Sequence, residues 1–210
     1  MQLHSNDLTD GHPIDPRFAF GKLDDQAPMA LSDNLNPHLA WSGAPAGTRS
    51  FVVVCMDPDV PSVADDVNQE GKTLPADMPR VDFCHWAMVD VPAGLTELAT
   101  GSCSDGVTPR GKTEPAGPEG TRQGLNDYTS FMAGDEDMKG NYFGYDGPCP
   151  PWNDERLHRY VFTVYALDTD RLELPEPFTG HDVLDAIKDH VLDQASLTGT
   201  YTLNRALAGG

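Results

Sequence analysis

Three apolar runs stand out along an otherwise polar chain: RSFVVVCM at residues 49–56, FCHWAMVDV at 83–91 and RYVFTVYAL at 159–167. Each is rich in Val, Phe, Tyr or Trp and is bounded by Pro or Gly. Such runs predict strands, because branched and aromatic side chains pack well on a pleated surface. Shorter runs at 39–42 and 198–203 predict two more. Near the C-terminus the period changes. Val183, Leu184, Ile187 and Val191 fall on one helical face, and Thr179-Gly180-His181-Asp182 before them has the order of a capping box. A helix is therefore expected over 181–194. The economical architecture is mainly β, an antiparallel β-sandwich with one or more peripheral helices.

Between the strands lie long polar stretches at about 62–82 and 103–140, the second containing GVTPRGKTEPAGPEGTRQG. So much Gly and Pro supports no regular element, and loops of this length in a compact domain tend to be functional or mobile. At 210 residues one core suffices, so a single domain over 1–210 is expected.

Charge narrows the function classes. Thirty-three acidic residues against fourteen basic ones give a net charge of −19, which repels nucleic-acid phosphates and anionic lipid surfaces. The start MQLHSNDLTDGHPIDP turns polar at once, unlike a signal peptide, and no apolar run approaches the length of a membrane span. A cytoplasmic protein without an integral membrane segment is expected. The four cysteines have no close-paired spacing, which disfavours a Cys-rich zinc site; Cys149 is a candidate thiol beside a loop.

Candidate chemistry gathers at the ends of the apolar runs. Asp57-Pro58-Asp59-Val60-Pro61 closes the first run, and its prolines are expected to terminate the strand and hold both acids in a nearly fixed relation. Strict alternation places His85 on one face with Phe83, Ala87, Val89 and Val91, and His158 with Tyr160, Phe162 and Val164. An imidazole oriented by a carboxylate can offer its other nitrogen to a ligand oxygen, an arrangement suited to phosphate. In GYDGPCPP, Gly144 and Gly147 let backbone amides approach an anion, and the prolines stiffen the loop. The same Asp57, Asp59, His85 and His158 also make up a donor set for a metal-dependent hydrolase, although no local ligand pair such as His-x-x-x-His accompanies them.

In this order, NPHLAWSGAPAGTRSFVVV at 36–54, DPDVP at 57–61, CHWAMVDVP at 84–92 and YDGPCPP followed by HRYVFTVYALD resemble the phosphatidylethanolamine-binding protein family, bacterial Raf kinase inhibitor-like branch. The resemblance implies a β-sandwich with a small pocket at one sheet end for phosphate-like anions, phospholipid headgroups or phosphorylated groups. It implies no catalysis and no cofactor. A regulatory role toward a kinase or protease, and a homodimer, belong to the same expectation. Mapped onto this chain, the ligand-binding residues are Asp57, Asp59, His85, Gly147, His158 and Tyr160. Cys149 stands where relatives often have glycine and Phe83 where many have tryptophan, which alters the pocket's width. The two polar insertions are expected to cover its mouth or to serve as an oligomer contact.

Overall fold

The three long apolar runs form the centre of the molecule. The computed structural model describes residues 1–208, with strands β1 (Gln2–His4), β2 (Gly21–Lys22), β3 (Ala30–Leu31), β4 (Leu39–Ser42), β5 (Ser50–Pro61), β6 (Arg80–Pro92), β7 (Glu97–Leu98), β8 (Arg122–Gln123), β9 (His158–Leu167) and β10 (Val191–Tyr201). Short helices α1 (Tyr128–Phe131), α2 (Gly180–Ala186) and α3 (Arg205–Ala208) lie among them. A five-stranded antiparallel sheet is ordered β10-β9-β5-β6-β8, with β5 in the middle; a three-stranded sheet runs β1-β4-β7, and β2 pairs with β3.

Both faces of the large sheet are covered, which is why its central strand is apolar nearly throughout. On one face Val53, Cys55, Trp86, Met88, Phe162 and Val164 pack with Leu39 and Trp41 of β4, giving the sandwich. On the other, Val52, Val54, Ala87 and Val89 pack with Phe178 and with Val183 and Ile187 of the α2 region.

Two expectations need correction. The helix expected over 181–194 stops after Ala186. Its capping box is present: the Asp182 amide donates to Thr179 Oγ1 at 3.3 Å, and the Thr179 amide donates to Asp182 Oδ2 at 2.8 Å. Val191, counted on its apolar face, instead opens β10, which pairs with β9 from Val191–Leu167 to Tyr201–His158. A ladder of that length outweighs the modest stability of further helical turns.

The second concerns DPDVP, which does not end its strand. β5 pairs with β9 only as far as Met56–Val161, so from Asp57 onward its sole strand neighbour is β6. Between the pairs Asp57–Phe83 and Val60–Val81, β5 carries one residue more than β6. Prolines are tolerated in a sheet at such a half-open, bulged position.

Candidate functional site

A second bulge sets the site. Cys55 pairs with Trp86 and Met56 with Cys84, so His85 is the extra residue on β6. Alternation fails there. Ala87 and Val89 point toward α2, whereas His85 lies edge-on to Tyr160 of β9, ring centroids 5.0 Å apart, and against Phe83 at 4.8 Å. Bulges commonly re-aim a side chain in this way. His85 Nδ1–H donates to the Asp146 carbonyl at 2.8 Å. In the neutral ring this leaves Nε2 as an acceptor, and among the described residues it has no partner. Burial holds the His85 pKa below its ordinary value, against the opposing influence of Asp57 and the Asp146 carbonyl.

His85, Asp57, His158 and Tyr160 line one cavity of about 90 Å3, walled by Phe83, Tyr128, Phe131, Cys149, Pro150 and Pro151, by the end of β5 at Val60 and Pro61, and by Ala64, Val67 and Asn68 of the segment after it. The sequence placed these four residues in a common site, and the fold brings them together. The segment from residue 62 and Phe131 come from the two polar insertions. Both insertions therefore contribute to the mouth.

His158 plays a different part from the one expected. Its Nδ1 lies 2.7 Å from Asp57 Oδ2 and its Nε2 3.1 Å from Asp154 Oδ2, and the ring is wholly buried. Neither nitrogen remains for a ligand. Burial opposes a charge here, but the bonds to Asp154 and Asp57 outweigh it and raise the pKa to about 9, so the ring is an imidazolium at neutral pH. Asp154 is held in turn by both terminal nitrogens of Arg80, at 2.5 and 3.0 Å.

Two other expected ligand residues lie outside the cavity. Asp59 is fully buried and chelated by Arg159, from Nε at 2.8 Å and Nη2 at 3.0 Å, and by Arg156 Nε at 2.6 Å. Burial pushes its pKa up, yet these guanidinium bonds bring it down to about 2. Asp59 does keep its fixed relation to Asp57, because its amide donates to Asp57 Oδ1 at 2.8 Å. Gly147 is no anion nest: its amide donates to Asn34 Oδ1 at 2.8 Å and its carbonyl accepts from the Tyr128 hydroxyl at 2.7 Å. It is glycine because a Cβ would come within 2.0 Å of the Phe18 carbonyl oxygen.

Sequence reasoning missed the residue beneath this loop. Buried Asp146 accepts from Asn34 Nδ2 and Asn126 Nδ2, each at 2.8 Å, and from Lys112 Nζ at 2.7 Å, while its carbonyl orients His85. The only local hint was an acid between two loop glycines. Cys149 lines the cavity, but burial pushes its thiol up to about 12, far from a reactive thiolate.

The cavity base thus offers the His85 Nε2 edge, the Asp57 carboxylate and the Tyr160 hydroxyl. That hydroxyl is buried near Asp57 and, among the described residues, has no partner in hydrogen-bonding geometry, a cost in the free protein that a bound polar group can relieve. Among the described residues neither Lys nor Arg lines the cavity, and the imidazolium of His158, which does, is already paired.

Comparison with known proteins bears on the family and the fold. Residues 4–202 match the family model described as phosphatidylethanolamine-binding protein. The chain is 34% identical to the UPF0098 protein YbhB of Escherichia coli K12 over 202 residues, 96% of this chain and 100% of that protein. The crystal structure of Escherichia coli YbcL, described as a new member of the mammalian PEBP family, superposes with a TM-score of 0.68 at 27% identity, covering 96% of this chain and 97% of that one. A putative homologue from Chlamydia trachomatis, CT736, superposes with a TM-score of 0.61 at 26% identity over 95% of both chains. On fold and similarity together, the chain belongs to the phosphatidylethanolamine-binding protein family.

Proposed function

We propose that this chain is a non-enzymatic binding protein whose cavity holds the phosphate-bearing end of a small ligand, a phospholipid headgroup or another phosphorylated group. The reading rests on one observation: the His85 Nε2 edge and the unpartnered Tyr160 hydroxyl line the same cavity as Asp57. The monoanion of a phosphate monoester, such as phosphorylethanolamine, matches that trio. Its P–OH donates to Asp57, and its other oxygens accept from Tyr160 and from His85 once that ring is protonated.

Binding then takes up a proton. Because burial keeps the free His85 largely neutral at pH 7, affinity rises as pH falls toward and below its pKa. Calorimetric titration with inorganic phosphate and phosphorylethanolamine between pH 8 and 5.5 tests this. The expected result is tighter binding at lower pH, weakened about tenfold or more by His85→Ala. Affinity that is indifferent both to pH and to that substitution overturns the reading.

The hydrolase alternative is less well supported by the donor set. Both nitrogens of His158 and both oxygens of Asp59 are engaged in ion pairs, which leaves Asp57 and His85 of the four expected ligands. Among the described residues no group of three or more His, Cys, Asp or Glu side chains is arranged to hold a metal ion. Stoichiometric metal in elemental analysis of purified protein would revive it. A regulatory role toward a kinase or protease rests on family analogy alone, since a fold does not name a partner.

A further inference from the structure

A second feature of the cavity mouth sets which phosphate-bearing ligands suit it, and this inference rests on the reading above. The segment after β5 contributes Ala64, Val67 and Asn68 to the wall, and half-exposed Phe131 lies in the wall as well. None of this segment belongs to a long strand or helix. Beyond its own turns and the Ser62 amide bond to the Pro79 carbonyl, a buried residue on the Pro-rich loop, Asn153, ties it down.

Asn153 Nδ2 fans across the carbonyls of Asp66 at 2.9 Å, Lys72 at 3.2 Å and Gln69 at 3.5 Å, while its Oδ1 accepts from the Asn68 amide at 3.0 Å. Its own carbonyl accepts from the Leu74 amide at 3.0 Å. Asn68 returns the contact: it takes the left-handed conformation, φ 56°, and its Oδ1 accepts from the Trp152 amide at 2.9 Å. Within itself the segment has only short turns, Val67 amide to Ala64 carbonyl at 3.0 Å, Gln69 to Asp66 at 3.4 Å and Lys72 to Gln69 at 3.2 Å; the Asn153 amide gathers these turns and ties them to the Pro-rich loop, beside Ala64 and Val67 at the mouth.

Size decides what that wall does. A cavity of about 90 Å3, set against the roughly 10–15 Å3 that suffices to hold one water, has room for a phosphate-sized head group. Whatever the phosphate is esterified to must lie against the mouth, where Val67, Ala64, Phe131 and Pro151 present carbon. We propose that Asn153 is a specificity-determining positioning residue: it fastens the 62–72 segment into an apolar collar that selects phosphate monoesters with an apolar group attached directly to the head.

The test compares phenyl phosphate with inorganic phosphate on the full chain at pH 6, by calorimetry. Wild type is expected to favour phenyl phosphate about tenfold, which corresponds to about 1.4 kcal/mol. Roughly 55 Å2 of apolar surface removed from water accounts for that. Asn153→Asp removes the Nδ2 donors at nearly constant size and sets a carboxylate against three carbonyl oxygens. It is expected to bring the affinity ratio toward one and to speed amide exchange across 62–74. Phe131→Ser, on a half-exposed side chain, lowers the ratio without touching the clamp, so the collar stays testable if the Asn153 variant misfolds.

A ratio unchanged in both variants overturns the proposal. So does a wild type that binds the two ligands equally, which leaves the phosphate reading intact. Failure of wild type to bind either ligand removes the phosphate reading, and the collar's role falls with it.

Discussion

His158 makes stability a sharp function of pH on the alkaline side. Its pKa stands at about 9 in the folded chain against about 6.5 when free of its carboxylate partners. Between those values the native state binds one proton more than the unfolded chain. Stability is therefore fully present below about pH 6.5 and is lost as pH rises through 9, at about 1.4 kcal/mol per unit in mid-window. The whole interval is worth roughly 3 kcal/mol, a large share of the 5–15 kcal/mol typical of a domain. Denaturant curves collected from pH 6 to 9.5 measure it, and the imidazole proton resonances report the pKa itself. Asp154→Asn removes one of the two carboxylates and is expected to lower that pKa by about one to three units, moving the unstable region toward neutrality. Stability that is flat from pH 6.5 to 9, or a His158 ring that titrates at or below 6.5, refutes the reasoning.

Other expectations are simpler. Tyr160→Phe removes a buried hydroxyl that has no internal partner, so thermal unfolding is expected to change little or to move slightly upward, while phosphate affinity falls several-fold in the same titrations. Gly147→Ala drives a methyl into the Phe18 carbonyl oxygen at 2.0 Å and is expected to destabilise by more than about 2 kcal/mol in denaturant curves, whatever the ligand. Thr179→Ala removes one half of the α2 capping box and is expected to cost about 1 kcal/mol, with no effect on ligand binding.

The three central strands β5, β6 and β9 were legible because burial on both faces writes itself as an apolar run, whereas β10, largely exposed over its first half, was legible only at its end. What sequence could not convey was phase. A bulge inserts one residue into one strand, and only the partner strand reveals it; hence His85 was grouped with Ala87 and Val89, which lie across the sheet from it. The same limit applies to partners. His158 meets Asp57 from 101 residues away and Asn153 reaches Asn68 from 85, separations that topology alone closes. His158 lines the cavity and Asp59 lies outside it, and the charges of both turn inward to ion pairs that no local pattern announces. The capping box needed no such context, being complete within four residues. Its helix did, since the end of α2 is decided by β10 finding β9.

Asp57 belongs to two systems at once, lining the cavity and holding His158, which in turn leans on Asp154 and Arg80. For a lineage of such proteins this divides the site into slow and fast parts. A substitution at Asp57 disturbs a buried charge lattice before any new ligand rewards it, so drift at the head of the pocket is resisted by folding itself. The 62–68 wall and Phe131 carry no such obligation: they can be lengthened, shortened or repainted while the lattice stays whole. Descendants of this chain that diverge in what they bind are expected to do so at the doorway, keeping the floor they inherited.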